Sequence, residues 1–163
     1  MKKLMQLVTI QSILLVVTLL ATSCEKDEDT DPTNNGEQGS FSFTLSGDEE
    51  NNLKGVATYE IDEGILRINL GDNPPDIVMN YSLGTDETLI PTGIYDPVSA
   101  TGTGMPENSI AVQYNGTETY FGEEGTVEIT ESESGTITGT IDAVLESIGG
   151  STINVEGDFT ATP

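Results

Sequence analysis

From residue 41 onwards the chain alternates apolar and polar residues with a period of two. Such alternation is typical of β-strands that bury one face and expose the other to water. No part of this region repeats its apolar residues with a helical period. Nine or ten short strands at this spacing predict an all-β domain, either an antiparallel β-sandwich or a β-barrel. The clearest strands are predicted at residues 41–45, 77–83, 127–129, 137–143 and 153–161.

Two further pairs of strands are separated by recognisable turn sequences. Asp-Glu-Gly at residues 62–64 lies between the apolar-rich runs 56–61 and 65–70, which predicts a turn there. Asn115-Gly116 lies between two other strand-like runs, and both residue types tolerate positive φ. This dipeptide therefore predicts a hairpin with a type I′ turn.

Proline and glycine mark special positions in three strands. Residues 89–95 predict a short strand at an edge of the sheet, because Pro91 has no N–H to donate to a neighbouring strand. Gly139 and Gly157 lie on the apolar faces of their strands. Glycine at such positions predicts β-bulges, or places where a curving sheet brings atoms unusually close.

The first 23 residues have the organisation of a secretory signal peptide. Lys2 and Lys3 are followed by a largely apolar stretch at residues 4–20 and by three small residues before Cys24. A transmembrane helix needs about 20 mostly apolar residues. Several polar residues interrupt the apolar stretch at residues 4–20, and an acidic segment follows Cys24. The pattern therefore favours a cleaved signal over a permanent span.

The sequence Leu-Ala-Thr-Ser-Cys at residues 20–24 resembles a lipobox, the site read by the lipoprotein signal peptidase. The family pattern favours leucine three residues before the cysteine, where this chain has Ala21. The resemblance implies that the Cys24 thiol takes a thioether-linked diacylglycerol and that Cys24 becomes the first residue of the mature chain. With two acyl chains, this attachment would hold the protein stably on a membrane.

Residues 24–40 are predicted to be the lipidated cysteine and a flexible tether, which leaves 41–163 as a single all-β domain. The tether is polar and acidic and cannot bury enough apolar surface to offset the entropy of ordering. Its ends would lie about 20 Å apart. Acidic residues directly after a lipidated cysteine resemble the export signal of Bacteroidota surface lipoproteins. That resemblance implies the outer membrane, facing the exterior; the alternative is its periplasmic face.

The net charge limits the partners of the mature chain. Lys2 and Lys3 leave with the signal, so three basic residues remain against 28 acidic ones, a net charge of −25. Nucleic acids are excluded as partners, because their recognition relies on lysine and arginine contacts to phosphates. Electrostatic binding to anionic lipids is excluded for the same reason. The lipid is therefore the expected membrane contact, and an envelope protein or a glycan is the expected partner.

The strand region resembles a group of small Bacteroidota lipoproteins that carry an all-β domain of unknown function. The resemblance implies the architecture and brings no catalytic residues with it. It covers most of residues 41–163 and rests on alternating strands and turn glycines. The matching segments are 55–59, 91–95, 125–130, 135–140 and 155–159.

The residue types needed for common catalytic sites are scarce. The chain has no histidine and no tryptophan, and its one cysteine is Cys24. Lys54 is the one lysine after residue 40, and no spacing supports a Ser-Lys pair. We therefore assign no catalytic, cofactor-binding or metal-binding residue. Calcium is the one cofactor kept as an alternative, because the acidic loops at 48–52 and 72–76 offer several oxygen ligands.

These observations predict a lipid-anchored envelope or surface lipoprotein that acts as a non-enzymatic binding or accessory module. One alternative is a carrier of small apolar ligands, if the strands close into a barrel with a cavity. A more distant alternative is a glycosidase-like enzyme that uses two carboxylates. The interior of the domain discriminates between the first two: a packed core favours the binding module and an open cavity favours the carrier.

Replacing Cys24 by alanine is expected to abolish lipid attachment, because the chain has no second cysteine. Metabolic labelling with a fatty acid should mark the wild type and leave Cys24→Ala unlabelled and poorly retained in membranes. Ser23→Ala, which keeps the cysteine and a small residue before it, is the matched control and should be labelled. Equal labelling of the wild type and Cys24→Ala would contradict the assignment.

Overall fold

The structure is a computed structural model that describes residues 38–99, 105–106, 108–133 and 135–163. These residues contain nine β-strands and no helix, which confirms the prediction of an all-β domain. The predicted signal peptide, Cys24 and the tether up to residue 37 lie outside the described residues. The strands are β1 (Ser40–Gly47), β2 (Asn51–Asp62), β3 (Ile65–Leu70), β4 (Ile77–Ser82), β5 (Gly93–Val98), β6 (Ser109–Asn115), β7 (Thr119–Glu133), β8 (Thr136–Ser147) and β9 (Thr152–Ala161).

The nine strands form one sheet that closes into a barrel, which decides between the two predicted architectures. Around the barrel the order is β1-β2-β3-β4-β6-β5-β7-β8-β9. The ring closes where β9 pairs with β1, from Ser40 opposite Thr160 to Gly47 opposite Ile153. Closure gives each strand a neighbour on both sides, so that no strand is left at an edge.

The odd number of strands constrains their directions. Neighbours in a purely antiparallel barrel alternate in direction, and this alternation is consistent around a closed ring only when the number of strands is even. A ring of nine therefore requires a parallel pair, and this pair is β5 with β6. Residues 96–98 of β5 lie parallel to residues 109–111 of β6.

β5 is inserted between two strands that are consecutive in the chain. β6 and β7 pair with each other only next to their turn, over residues 113–115 and 119–121. Beyond that point the two strands separate, and β5 pairs with both of them. At the fork, a Cβ atom on Gly122 would lie 2.9 Å from the backbone nitrogen of Val98. Glycine is therefore needed at this position for close approach of the two strands.

The predicted edge strand at residues 89–95 is wrong in its position and its role. The strand comprises residues 93–98, contains Pro97 rather than Pro91, and lies between two neighbours. Residues 89–92 instead belong to the loop between β4 and β5, which we call the plug loop (residues 83–92). Its Ile90 is completely buried. The apolar residues that suggested a strand serve to cover the end of the barrel.

The turn between β2 and β3 has the type I′ geometry. Glu63 and Gly64 have φ values of 50° and 80° and connect the paired residues Asp62 and Ile65. A two-residue hairpin loop with two positive φ values is the arrangement that matches the twist of the flanking strands. The turn predicted at residues 62–64 is therefore confirmed.

The hairpin predicted at Asn115-Gly116 also forms, but the predicted type I′ turn is wrong. Asn115 pairs with Thr119, so the connection has three residues, and neither Asn115 nor Gly116 has a positive φ. Glycine is required here for space instead. A Cβ atom on Gly116 would lie 2.5 Å from Oε2 of Glu49, a residue of the loop between β1 and β2.

The inward-facing side chains fill the barrel with one contiguous apolar cluster. Phe43 lies against Gly157 and Phe159 lies against Gly139, where an added Cβ would come within 2.5 Å and 2.8 Å of the respective rings. The predicted close approaches at these glycines are therefore confirmed. Each fully buried large side chain contributes about 1.5–3 kcal/mol of burial free energy. The large side chains of this cluster with no exposed surface are Leu66, Ile68, Leu70, Ile77, Met79, Ile90, Ile110, Val112, Val127, Ile137, Leu145 and Val155.

The first residues of the barrel lie further towards the N-terminus than the sequence pattern predicted. Gly39 donates its N–H to Oγ1 of Thr162 at 3.2 Å, and its carbonyl accepts the N–H of Ala57 at 3.1 Å. Ser40 is already the first residue of β1. The tether prediction included both residues because small polar residues carry no apolar signal, whereas their backbone groups still pair.

The two ends of the barrel differ in their loops. The end at which the chain enters β1 also holds the β2–β3 turn, the plug loop, the β7–β8 turn and the C-terminus, and we call it the N-terminal end. The opposite end holds the β1–β2, β3–β4, β6–β7 and β8–β9 connections, and we call it the distal end. The described chain therefore begins and ends at the N-terminal end.

Replacing Ile90 by alanine is expected to lower the free energy of unfolding by about 3 kcal/mol, because truncating a buried isoleucine leaves a cavity. Ile148→Ala is the matched control, because Ile148 is 93% exposed in the β8–β9 turn. That change should stay within about 0.5 kcal/mol. Denaturant unfolding of the two variants measures the difference. Similar free energies for both variants would show that the plug loop does not pack as described.

Candidate functional site

The two loops considered for calcium both lie at the distal end of the barrel. Residues 48–50 form the β1–β2 connection, whereas Asn51 and Asn52 already belong to β2. Residues 72–76 lie in the β3–β4 connection. Among the described residues, no three acidic side chains converge closely enough to hold a metal ion. Cys24, the predicted lipid-attachment residue, lies outside the described residues.

Two carboxylates of the β1–β2 loop, those of Asp48 and Glu49, are bound by groups of the protein itself. Asp48 accepts the N–H of Thr152 through Oδ2 at 2.7 Å, and its own N–H donates to the Thr152 carbonyl at 3.0 Å. These two bonds attach the loop to the start of β9. Asp48 is therefore used to hold the β1–β2 loop against the β8–β9 connection.

Glu49 connects the β1–β2 loop to the β6–β7 hairpin. Its Oε1 accepts a hydrogen bond from the Tyr114 hydroxyl at 2.6 Å. Its Oε2 accepts from the Thr117 hydroxyl at 3.0 Å and from the Thr117 N–H at 3.2 Å. Gly116 leaves the space that this carboxylate occupies. We call this arrangement of Glu49, Tyr114 and Thr117 the distal clasp.

The distal clasp keeps Glu49 ionised. Partial burial by itself would raise the pKa of Glu49, but the hydrogen bonds from Tyr114 and Thr117 outweigh it and lower the pKa below its ordinary value. Burial also raises the pKa of Tyr114, and the hydrogen bond to Glu49 and its negative charge raise that pKa further. Tyr114 stacks on Tyr120 with ring centroids 5.9 Å apart. The clasp is thus a structural contact made by an ionised carboxylate, and its tyrosine packs on a second aromatic ring.

The two basic residues in the described part of the chain are not members of the distal clasp. Arg67 lies on the outer face of β3, where it donates to Oε1 of Glu60 at 3.3 Å and to Oδ1 of Asn80 at 3.1 Å. Lys54 is exposed on β2. An exposed pair such as Arg67–Glu60 contributes little to stability. The surface of the barrel is therefore dominated by carboxylates.

The distal end also exposes an apolar side chain among its acidic residues. Ile148 is 93% exposed, the largest exposure of any large hydrophobic residue described. Acidic residues stand in three of the distal connections, among them Glu50 and Glu118. The distal end thus combines negative charge with a single exposed isoleucine.

The N-terminal end contains an open groove with a volume of about 450 Å³. Its apolar walls come from Tyr59 and Ile61 of β2 and from Leu89 and Pro91 of the plug loop. Ile61 keeps 46% of its surface exposed. Grooves of this volume are within the range that holds small ligands. We call this site the plug-loop groove.

Ser132 and Glu133, at the end of β7, supply polar groups to the plug-loop groove. A register shift between Ile129 and Glu131 turns Ser132 inwards, because it pairs with the buried Ile137 of β8. Bulges of this kind re-aim side chains next to functional sites. The Oγ of Ser132 has essentially no access to water and no hydrogen-bond partner among the described residues.

Tyrosine and glutamate side chains hold the plug loop in place. Glu87 accepts the N–H of Gly84 at 2.8 Å and the Tyr81 hydroxyl at 3.3 Å. The Tyr95 hydroxyl donates to the carbonyl of Pro91 at 2.6 Å. Burial, together with the neighbouring Tyr81 and the charge of Glu87, raises the pKa of Tyr95 to about 12. These bonds fix the loop that forms one wall of the groove.

Sequence reasoning did not identify the distal clasp or the plug-loop groove. Glu49 and Tyr114 are 65 residues apart, and no periodic pattern links them. The groove depends on a register shift that the alternation of β7 does not reveal. One signal was present: two adjacent apolar residues, Leu89 and Ile90, lie between proline- and glycine-rich segments and could have indicated a buried loop.

The fold and both sites define a closed nine-stranded β-barrel with a charged clasp at one end and a groove at the other. Comparison of the chain with protein-family models, with curated proteins and with solved structures gives no match. Within the described residues, no helix is long and apolar enough to cross a membrane. The function is therefore inferred from the geometry and chemistry of the barrel.

Replacing Glu49 by glutamine is expected to lower the melting temperature at neutral pH by about 3 °C, because the charged clasp is lost. The folded-state pKa of Glu49 lies below its ordinary value of 4.5, so its contribution is complete above that value and is lost as the pH falls through the folded pKa. The difference between wild type and Glu49→Gln should therefore shrink between pH 7 and about pH 3.

Glu50→Gln is the control for this measurement, because it removes the same charge from the same loop. Glu50 is exposed. Thermal melts of all three proteins across the pH range separate the clasp from general charge repulsion. A difference for Glu49→Gln that stays constant with pH, or that Glu50→Gln reproduces, would contradict a role for the ionised Glu49.

Proposed function

We propose that this protein is a lipid-anchored module of the outer membrane that faces the cell exterior and binds an envelope protein or a glycan without catalysing a reaction. The observation that supports the proposal is the difference between the two ends of the barrel. The described chain enters β1 at the N-terminal end, which leaves the loops of the distal end free for contact with a partner.

The composition of the distal end supports a binding surface there. Its loops are held in fixed positions by the distal clasp and by the Asp48–Thr152 bonds, which reduces the entropy lost on binding. The exposed Ile148 provides an apolar contact within an acidic surround. Such a surface is suited to a partner that offers an apolar pocket and positive or hydrogen-bonding groups around it.

The packed interior supports a binding module over a carrier with a cavity inside the barrel. The inward side chains of all nine strands meet in one cluster, and most of them have no exposed surface. The glycosidase alternative requires one carboxyl with a raised pKa as its general acid, and Glu49, whose pKa is lowered by donors from the protein, does not fit that role.

Site-specific cross-linking tests the proposal. The mature chain has no thiol other than the lipidated Cys24, so a cysteine introduced at Ile148 or at Glu63 is the sole free thiol. Ile148→Cys lies at the distal end and Glu63→Cys at the N-terminal end. A photo-reactive group at position 148 should give a discrete covalent adduct on intact cells, and the same group at position 63 should not.

A membrane-impermeant maleimide gives the orientation in the same strains. Both cysteines should react on intact cells if the barrel faces the exterior. Reaction only after the outer membrane is permeabilised would overturn the exterior orientation in favour of the periplasmic face. Adducts from position 63 alone would overturn the assignment of the distal end as the binding surface.

A further inference from the structure

We propose that Asn115 is a deamidation site, which the folded distal end keeps unreactive and which reacts with water when the β6–β7 hairpin turn opens. The site consists of Asn115, the Gly116 that follows it, and the contacts that hold both residues. The inference does not depend on membrane anchoring or on a partner at the distal end.

Asparagine is a thermolabile residue, and it loses its side-chain amide most readily before glycine, which has no side chain to obstruct the attacking nitrogen. In this reaction the backbone nitrogen of Gly116 gives up its proton and forms a bond to Cγ of Asn115. The Cγ–Nδ2 bond breaks, and Nδ2 leaves with that proton as ammonia. Water then opens the resulting succinimide ring at one of its two carbonyl carbons, which yields aspartate or isoaspartate.

Hydrogen bonds occupy both reacting groups in the folded protein. The side chain of Asn115 donates through Nδ2 to the carbonyl of Pro75 at 3.1 Å, and its Oδ1 accepts from Nε2 of Gln113 at 2.7 Å. The N–H of Gly116 donates to the carbonyl of Glu118 at 3.0 Å. Attack on Cγ therefore requires these hydrogen bonds to break, so that the nitrogen can lose its proton and the side chain can turn towards it.

The distal clasp restrains the turn that contains Gly116. Thr117 follows directly, and both its N–H and its hydroxyl donate to Glu49. The Glu49 carboxylate also occupies the space beside Gly116, where a Cβ atom would lie 2.5 Å from Oε2. Opening of a single turn costs less free energy than global unfolding. The clasp therefore sets how often the turn opens, and with it the rate at which Asn115 reacts.

Deamidation loosens the distal end in one direction only. Asn115 ties β6 to the β3–β4 connection through the Nδ2 bond to Pro75 and through its own N–H, which donates to the carbonyl of Asp76 at 2.8 Å. A carboxylate in place of the amide has no N–H for the Pro75 carbonyl. Isoaspartate also adds a methylene group to the backbone of the turn. Because ammonia is lost, refolding does not restore the original contacts.

A second Asn-Gly dipeptide, Asn35-Gly36, lies in the predicted tether and provides an internal reference. The purified protein is incubated at neutral pH, both folded and in urea. A glutamate-specific protease then releases residues 29–37 and 108–118 as separate peptides, and mass spectrometry gives the deamidated fraction of each. In the folded protein Asn115 should react at least about ten-fold more slowly than Asn35, because the turn must open first.

In urea the two asparagines should react at similar rates, because no folded structure then protects either of them. Equal rates for Asn115 in the folded protein and in urea would overturn the proposal.

Variants at the two ends of the barrel distinguish opening of the turn from global unfolding. Glu49→Gln should raise the rate at Asn115 about five-fold, the factor expected for one weakened hydrogen bond, and leave Asn35 unchanged. Glu50→Gln removes the same charge outside the clasp and should react like the wild type. Ile90→Ala destabilises the barrel from the opposite end and should also leave the rate at Asn115 close to that of the wild type. No acceleration in Glu49→Gln, or a larger one in Ile90→Ala, would overturn control by the clasp.

The consequence for the fold is tested with one of the reaction products. Asn115→Asp should lower the melting temperature by about 5 °C, because it leaves the part-buried Pro75 carbonyl without its donor. Asn154→Asp adds the same charge at an exposed position of β9 and is the matched control. It should melt within about 2 °C of the wild type. A wild-type melting temperature for Asn115→Asp would overturn the loosening of the distal end.

Discussion

The pairing of β9 with β1 closes the sheet, and the rest of the structure depends on this closure. A ring of nine strands cannot alternate in direction throughout, so closure also requires the parallel contact between β5 and β6. To make that contact, β5 enters between the two strands of the β6–β7 hairpin. The chain therefore has to cross the N-terminal end before β5 begins, and this crossing is the plug loop. The buried Ile90 is a consequence of that path.

The two ends of the barrel use acidic residues differently. At the distal end, Asp48 and Glu49 accept hydrogen bonds from neighbouring loops, so that their negative charge stabilises the arrangement of those loops. At the N-terminal end, Glu133 lines an open groove beside the unpartnered hydroxyl of Ser132. A carboxylate saturated by the protein's own donors serves the fold.

Strands could be predicted from the sequence where apolar and polar residues alternate regularly. The predictions failed where a residue is selected for a contact with a distant part of the barrel. The faces of β1, β8 and β9 were assigned correctly, including Gly139 and Gly157, because each buried face repeats every second residue. Residues 89–95 were misassigned because the apolar Ile90 packs as a plug. Gly116 was assigned to a turn conformation, whereas its role is to make space for Glu49.

The sequence by itself determined the all-β class, most strand positions and the negative charge, and it predicts a lipid on Cys24. These properties are local: a strand's periodicity, a turn's residue types and a signal's composition are all read within some twenty residues. The tertiary structure alone decided the barrel, the order of β5 and β6, the distal clasp and the plug-loop groove. Each of these features joins residues that are far apart in the chain, as Glu49 and Tyr114 are. Alternation predicts which face of a strand is buried, but it does not predict which strand is its neighbour in the sheet.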